Sequence, residues 1–437
     1  MTATPFIDTL SAAYAAAAGS LPGAGEPAVS ARRQAAFEAF RHAGLPNHRL
    51  ESWKFTSLNA LERQTWSLPA NESGADAALV AAATLTGDDS YRLVFVNGRL
   101  DAAASRLAGL PAGVRLLPLS QAGTDLAALL APTVQDRAAI LGELNAALAS
   151  DGMVLQVDDG VVLDRPVEII AFGAPAMVNL RHAVRLGRNA AATLVESYRD
   201  GGIAGPGWNN IAADIQVGDG ARLQHLRLQA EAPTAYHAAL CRVSVGAGGR
   251  YAHVSVQAGG AMARHQLHVE NTGRDAGIDL QGLVLARGSS HIDHTLFLHH
   301  ALPESRSNQL LKHVVDERGH AVFQGGIRVA PHAQKTDAQQ LSRTLLLADR
   351  AQIDTKPELE ILADDVKCSH GATIGDLDAQ QLFYMEARGI GQHEARRLLL
   401  GGFAAEIVEA APEGILRDRL AAFVDGWLAA DRQEQDA

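Results

Sequence analysis

One phrase, a tight turn leading into a short alternating strand, recurs along the middle of this 437-residue chain. It reads LGRNAAATLVES from Leu186, VGDGARLQHLRL from Val217, VGAGGRYAHVSV from Val245, LARGSSHIDHTL from Leu285, VDERGHAVFQGG from Val315 and LADRAQIDTKPE from Leu347. The starts lie about 30 residues apart, with one gap of about 40, and such a period built from strands marks a solenoid or a propeller. Propeller blades run about 40–50 residues with recurring tryptophans, whereas Trp208 is the only tryptophan between residues 151 and 375. The spacing therefore predicts a parallel β-helix, with an ordinary β-sandwich as the alternative.

The flanks have a different texture. Residues 1–150 read as a mixed, mainly helical domain. Ala36, Phe37 and Phe40 stand at helical spacing in a segment that ends at Gly44, a suitable C-terminal stop. YRLVFVNGRL reads as a strand turning at Asn97-Gly98, and a further helix is expected from about Arg137 to Leu148. Residues 151–375 form the predicted β-helix core. Residues 376–437 read as a small helical unit. Asp378 and Gln381 have capping-box spacing, Leu399, Phe403 and Ile407 form one stripe, and Leu416, Leu420, Phe423 and Trp427 form another after Pro412. Read as a separate unit, this end is expected to be removable from Asp376 onward with the core left folded.

Composition removes several classes of function. The net charge of −11 opposes nucleic acid or an anionic membrane as a general partner, since both need a positive field. No apolar run approaches the roughly 20 residues of a membrane span. Two cysteines, Cys241 and Cys368, suit a reducing compartment and rule out a disulfide framework. The expected location is the cytoplasm. None of the five lysines follows a glycine, so no phosphate-binding loop exists. GIGQHEA from Gly389 imitates a dinucleotide fingerprint without the strand that must precede it.

Histidine is concentrated between His291 and His332, at 291, 294, 299, 300, 313, 320 and 332. Clustered imidazoles can bind metal, but His291 and His294 point to opposite faces of a strand, so most of the set is expected on solvated sheet faces. In DVKCSHGAT, Cys368 and His370 share one strand face, with neighbouring positions roughly 6–7 Å apart. They make a candidate pair of metal ligands, or else inward residues that fill the coil.

PELEILADDVKCSHGATIGDLDAQQLFYMEARGI, from Pro357 to Ile390, resembles the C-terminal signature of the SufB/SufD family. FQGGIRVAPHAQKTDAQQLSRTLLL from Phe323 and RLESWKFTSL from Arg49 resemble two further family elements. SufB chains carry a cysteine where this chain has Ser342-Arg343-Thr344, and read His-Glu-Ala at His370-Gly371-Ala372. Both differences place the chain on the SufD side. The resemblance implies a right-handed parallel β-helix between helical ends. It implies a scaffold subunit with no activity of its own, in a complex with SufB and the ATPase SufC, whose docking falls to the C-terminal helices. It further implies a transient iron–sulfur cluster shared with SufB, with His370 and Cys368 facing that interface, and a reduced flavin (FAD) associated with the complex. A homodimer without SufB is compatible with the resemblance, and the sequence does not choose between it and a monomer. Rival readings are a β-helix carbohydrate-active enzyme, opposed by the lack of a recurring carboxylate pair, and a His-rich metal-binding protein. Iron–sulfur clusters usually take about four protein ligands, mostly thiolates, and this chain has two cysteines far apart in sequence, which favours a transient cluster completed by a partner over a stable one held by this chain alone.

Overall fold

The computed structural model describes residues 5–69, 74–132, 136–173, 175–202 and 205–430. The recurring phrase forms corners. Asn189, Gly220 and Gly248 turn the chain with φ of 56°, 66° and 64°, a region that glycine and asparagine enter most readily. Stacking is equally demanding at Gly273, where a Cβ would lie 1.9 Å from the Ala247 backbone nitrogen of the coil below.

Each coil adds one strand to each of two sheets. The first sheet runs from Tyr91–Val96 through Val167–Phe172, Ala191–Arg199, Arg222–Ala230, Arg250–Gln257, Gly277–Ala286, Arg306–Val315 and Asp337–Leu346 to Lys367–Gly375, all parallel. The second runs from Met153–Val157 through Met177–Leu186, Trp208–Val217, Tyr236–Val245, Met262–Asn271, His291–His300 and His320–Val329 to Gln352–Ile361. The protein is thus mainly β, with a parallel β-solenoid core and helices at both ends. The 40-residue gap in the repeat is not a longer coil. The first three phrases precede strands of the first sheet and the last three precede strands of the second, so the phrase changes corner while the coil length holds.

At the N-terminal end the sheets are closed by their own chain. Arg99–Leu100 pairs antiparallel with Tyr91–Val96 across the Asn97-Gly98 turn, and Val114–Pro118 pairs antiparallel with Met153–Val157. The helix Pro27–Ala43 starts on a proline, earlier than the helical spacing alone showed, and stops at Gly44, as the sequence predicts. Its Phe37 and Phe40, with Trp53 and Trp66, pack against Met177, Trp208, Ala238 and Met262 on the outside of the second sheet.

The C-terminal helices are not a free unit. Gln392–Glu409 and Ile415–Ala429 lie on the outer face of the first sheet. Leu400, Ala404, Ile407, Val408, Leu420 and Trp427 bury against Val195, Leu226, Leu228, Val254, Val256, Leu283 and Leu285. The buried stripe therefore falls on Leu400 and Ala404 rather than on the partly exposed Leu399 and Phe403. Lys312 ties the helix down through the Phe403 carbonyl (2.7 Å) and Glu406 (2.6 Å). Uncovering the sheet's apolar side chains forfeits roughly 1.5–3 kcal/mol apiece, against a total stability of about 5–15 kcal/mol. Deletion from Asp376 onward is therefore expected to yield an aggregating chain rather than the folded core that the sequence suggested. Size-exclusion chromatography checks this, and a monodisperse, cooperatively melting core would contradict it.

Candidate functional site

The far end of the solenoid carries the predicted ligand pair. Cys368 and His370 lie on Lys367–Gly375, the last strand of the first sheet, in register with Ala338 and Gln340. Ala338 and Gln340 are buried in the coil, so Cys368 and His370 occupy the corresponding inward positions on the final coil. Cys368 is half-buried against the apolar interior, and burial pushes its thiol up. That favours an unreactive thiol over a thiolate. His370 is exposed because none of the described residues forms a further coil over it. The sequence thus correctly joined the two residues, and the structure separates their surroundings.

The rim around His370 is apolar. Ile361 and Ile374 are 38% and 51% exposed, although their register partners Val329 and Thr344 are buried. A solenoid normally ends in a polar capping repeat, and here none of the described residues covers this end.

The two free edges differ. Lys367 donates its backbone N–H to Thr336 and Gln352 donates to Gly319. In a parallel ladder alternate residues bond alternate neighbours. The outward donors are therefore those of Cys368, His370, Ala372 and Ile374 on one edge, and of the odd-numbered residues on the other. Pro357 occupies one of those odd positions and supplies no donor. That edge is further flanked by Lys356, Glu358 and Glu360. Proline and charge are the usual blunting devices of an edge strand. The edge from Ser369 to Gly375 has neither, being built of Ser, His, Gly, Ala, Thr and Ile.

Inside the coil a polar column runs toward this end. His225 Nε2 stands 3.3 Å from Glu196, and Arg227 Nε 3.6 Å from it. Burial works to raise the Glu196 carboxyl, but His225, His182 and Arg227 outweigh it and hold it below the usual carboxylate range. The rings of His225, His253, His265 and His294 then follow one another with centroids 4.6, 5.6 and 5.2 Å apart. Farther along, Gln340 donates to Gln309 at 2.8 Å, directly beneath His370 in register. Of the seven clustered histidines, His294, His300 and His313 are fully buried, contrary to the expectation of solvated faces; His291, His299 and His320 are half-buried and His332 is exposed. Strand alternation alone could not say which face was inside. Among the described residues no three His, Cys, Asp or Glu side chains converge as a ready metal site, and no helix is long and apolar enough to cross a membrane.

The N-terminal element RLESWKFTSL is a latch on the second sheet. Trp53 is buried, donates Nε1–H to the Ala138 carbonyl at 2.8 Å and lies 4.0 Å under the Arg264 guanidinium. The Ser52 carbonyl accepts from Arg264 (2.8 Å) and Gln324 (3.0 Å). Glu51 pairs with Lys356, and the Thr56 hydroxyl reaches Asp293 and His291. The segment therefore ties four successive coils together.

Residues 170–403 match the description of the SufBD core domain of SUF-system iron–sulfur cluster assembly, and residues 8–169 that of the SufBD N-terminal region. The chain is 33% identical to an iron–sulfur cluster assembly SufBD-family protein of Synechocystis, over 89% of each chain. It is 31% identical to the iron–sulfur cluster assembly protein SufD of Escherichia coli, over 90% of this chain and 92% of that one. It is 34% identical to the chloroplastic protein ABCI7 of Arabidopsis thaliana, over 67% of this chain and 64% of that one.

Proposed function

Because the chain belongs to the SufBD family of iron–sulfur cluster assembly proteins, we propose that it is a scaffold subunit without turnover of its own, which completes a nascent cluster together with a SufB-type chain. The cluster is cargo, not a resident cofactor. The observation that carries this reading is the uncapped final coil, with His370 at the centre of an apolar rim and a receptive strand edge beside it. A second β-solenoid that adds its own last strand to Ser369–Gly375 would cover the rim, pair the free backbone groups and bring its ligands to His370. Imidazole can replace thiolate as an iron ligand. Cys368 is retained as a candidate ligand, although its burial suits packing better.

The ATPase partner, SufC, is assigned to the helix Ala379–Ala387. Asp378 caps that helix through the Gln380 and Gln381 amides, and none of its residues is buried. It presents Phe383 and Tyr384 at 73% and 60% exposure. Side chains of that size at such exposure mark an interaction surface better than a finished one.

The test is co-purification with both partners. Ala372→Pro removes one outward donor and none from the ladder. It is expected to keep the melting temperature of the parent and to lose the SufB-type partner, while Phe383→Asp is expected to lose SufC. Retention of both partners by both variants would refute the assignment of these surfaces.

A further inference from the structure

Away from the solenoid's end, on the outside of the second sheet, two imidazoles from successive coils face one another. His291 and His320 are register partners. Their Nδ1 atoms lie 3.2 Å apart and their rings are nearly perpendicular, at 87°. The contact resembles a hydrogen bond, but the protons around it are already committed. Asp354 Oδ2 is 2.7 Å from His320 Nε2, and a carboxylate accepts, so that nitrogen carries a proton and, in the neutral ring, Nδ1 of His320 presents a lone pair. On the other side, the single hydroxyl hydrogen of Thr56 goes to Asp293. Asp293 is fully buried, paired with Arg264, and also accepts from Thr295 at 2.8 Å. The Thr56 oxygen then offers only a lone pair to His291 Nε2, 2.9 Å away. That nitrogen must donate, which leaves Nδ1 of His291 unprotonated as well.

Two lone pairs at 3.2 Å repel unless a positive species lies between them. Two nitrogens bound to one tetrahedral metal ion at about 2.0–2.1 Å are themselves separated by about 3.3 Å, which is the separation seen here. The surroundings also match a metal site in their outer contacts. A ligating histidine ordinarily donates its far N–H to a carboxylate or another fixed acceptor, as His320 does to Asp354 and His291 does to Thr56. Gln352 stands next in the same column, on the solvent side of His320.

We infer that His291 and His320 form a two-imidazole chelate for a divalent first-row transition-metal ion, with Asp354 and Thr56 as positioning residues and solvent completing the coordination. The latch gives the site a structural consequence, because Thr56 belongs to the N-terminal segment, so a bound ion fixes that segment to two coils at once. The site is separate from the end-coil residues of the proposed function.

The experiment uses the full chain with Cys368→Ala and His370→Ala together, so that the end coil cannot contribute. After removal of metal with a chelator, Co2+ is titrated and followed by its d–d absorption, and Zn2+ by calorimetry. One ion per chain is expected, with intense bands of a four-coordinate, nitrogen-bound site. His291→Ala or His320→Ala should abolish those bands, and Asp354→Asn should weaken affinity about 10–100-fold. The metal-free melting temperature of each variant shows whether it is folded. A folded His320→Ala variant that binds Co2+ as tightly as its parent would overturn the inference. So would a parent without bands, which would leave the two rings sharing a proton instead.

Discussion

Acidification from pH 7 toward pH 4 is expected to unfold this chain cooperatively. Burial holds His182, His300 and His313 down to about 4, and His294 to about 3, against about 6.5 in an unfolded chain. In the folded state these rings stay neutral, while in the unfolded state they bind protons below pH 6.5. The unfolded state therefore takes up more protons across that window. The stability they contribute is complete above pH 6.5 and is lost as pH falls toward 4. At pH 5 each ring accounts for roughly 2 kcal/mol, and four of them approach the whole stability of a typical domain, about 5–15 kcal/mol. His253 and His265, also pushed down by burial, act in the same sense, as does the depressed Glu196 carboxyl. Asp151, raised by burial, acts in the opposite sense. Denaturant titrations at stepped pH check this. Unfolding free energy should fall steeply between pH 6.5 and 4, and a flat profile would show that the imidazole column is hydrated and already protonated.

The elements with local causes were legible in the sequence. Gly44 and Asp378 end and begin their helices through their own backbone and side chain, and Asn97-Gly98 turns a hairpin through positive φ at both residues. The repeated phrase announced the coils because each corner must satisfy the same backbone geometry. Features that depend on what lies opposite were not legible. The 40-residue gap could not show that the phrase had moved to the other corner. Alternation placed Cys368 and His370 on one face but could not choose between inside and outside, which only the stack of Ala338 and Gln340 beneath them decides. In HEARRLLLGGFAAEIVEA the assigned Ile407 is buried, but Leu399 and Phe403 were assigned one residue away from the buried face. The segment's apolar residues are dense enough for either register, and the first sheet selects Leu400, Ala404 and Val408. The pairing of His291 with His320 needed the coil register, which a sequence period of about 30 approximates without fixing.

His370→Ala carries the largest functional effect. The side chain sits at an inward position with none of the described residues above it, so its loss removes the proposed ligand without opening a cavity in the packed interior. Its neighbours Gln340 and Gln309 keep their mutual hydrogen bond, and the outward backbone donors of the edge are unchanged. Assembly with partners should therefore survive while ligation does not. Cys368→Ala should matter less, because its thiol is half-buried against apolar neighbours and is pushed up by that burial. The most direct measurement is anaerobic cluster reconstitution on the complete complex of this chain with its SufB-type and ATPase partners, read as cluster absorbance and as iron and sulfide per complex. The His370→Ala complex is predicted to elute as the parent does and to hold about tenfold less cluster or lower. An intact complex with a full cluster would contradict the assignment of the solenoid's open end as the place where the cluster is completed.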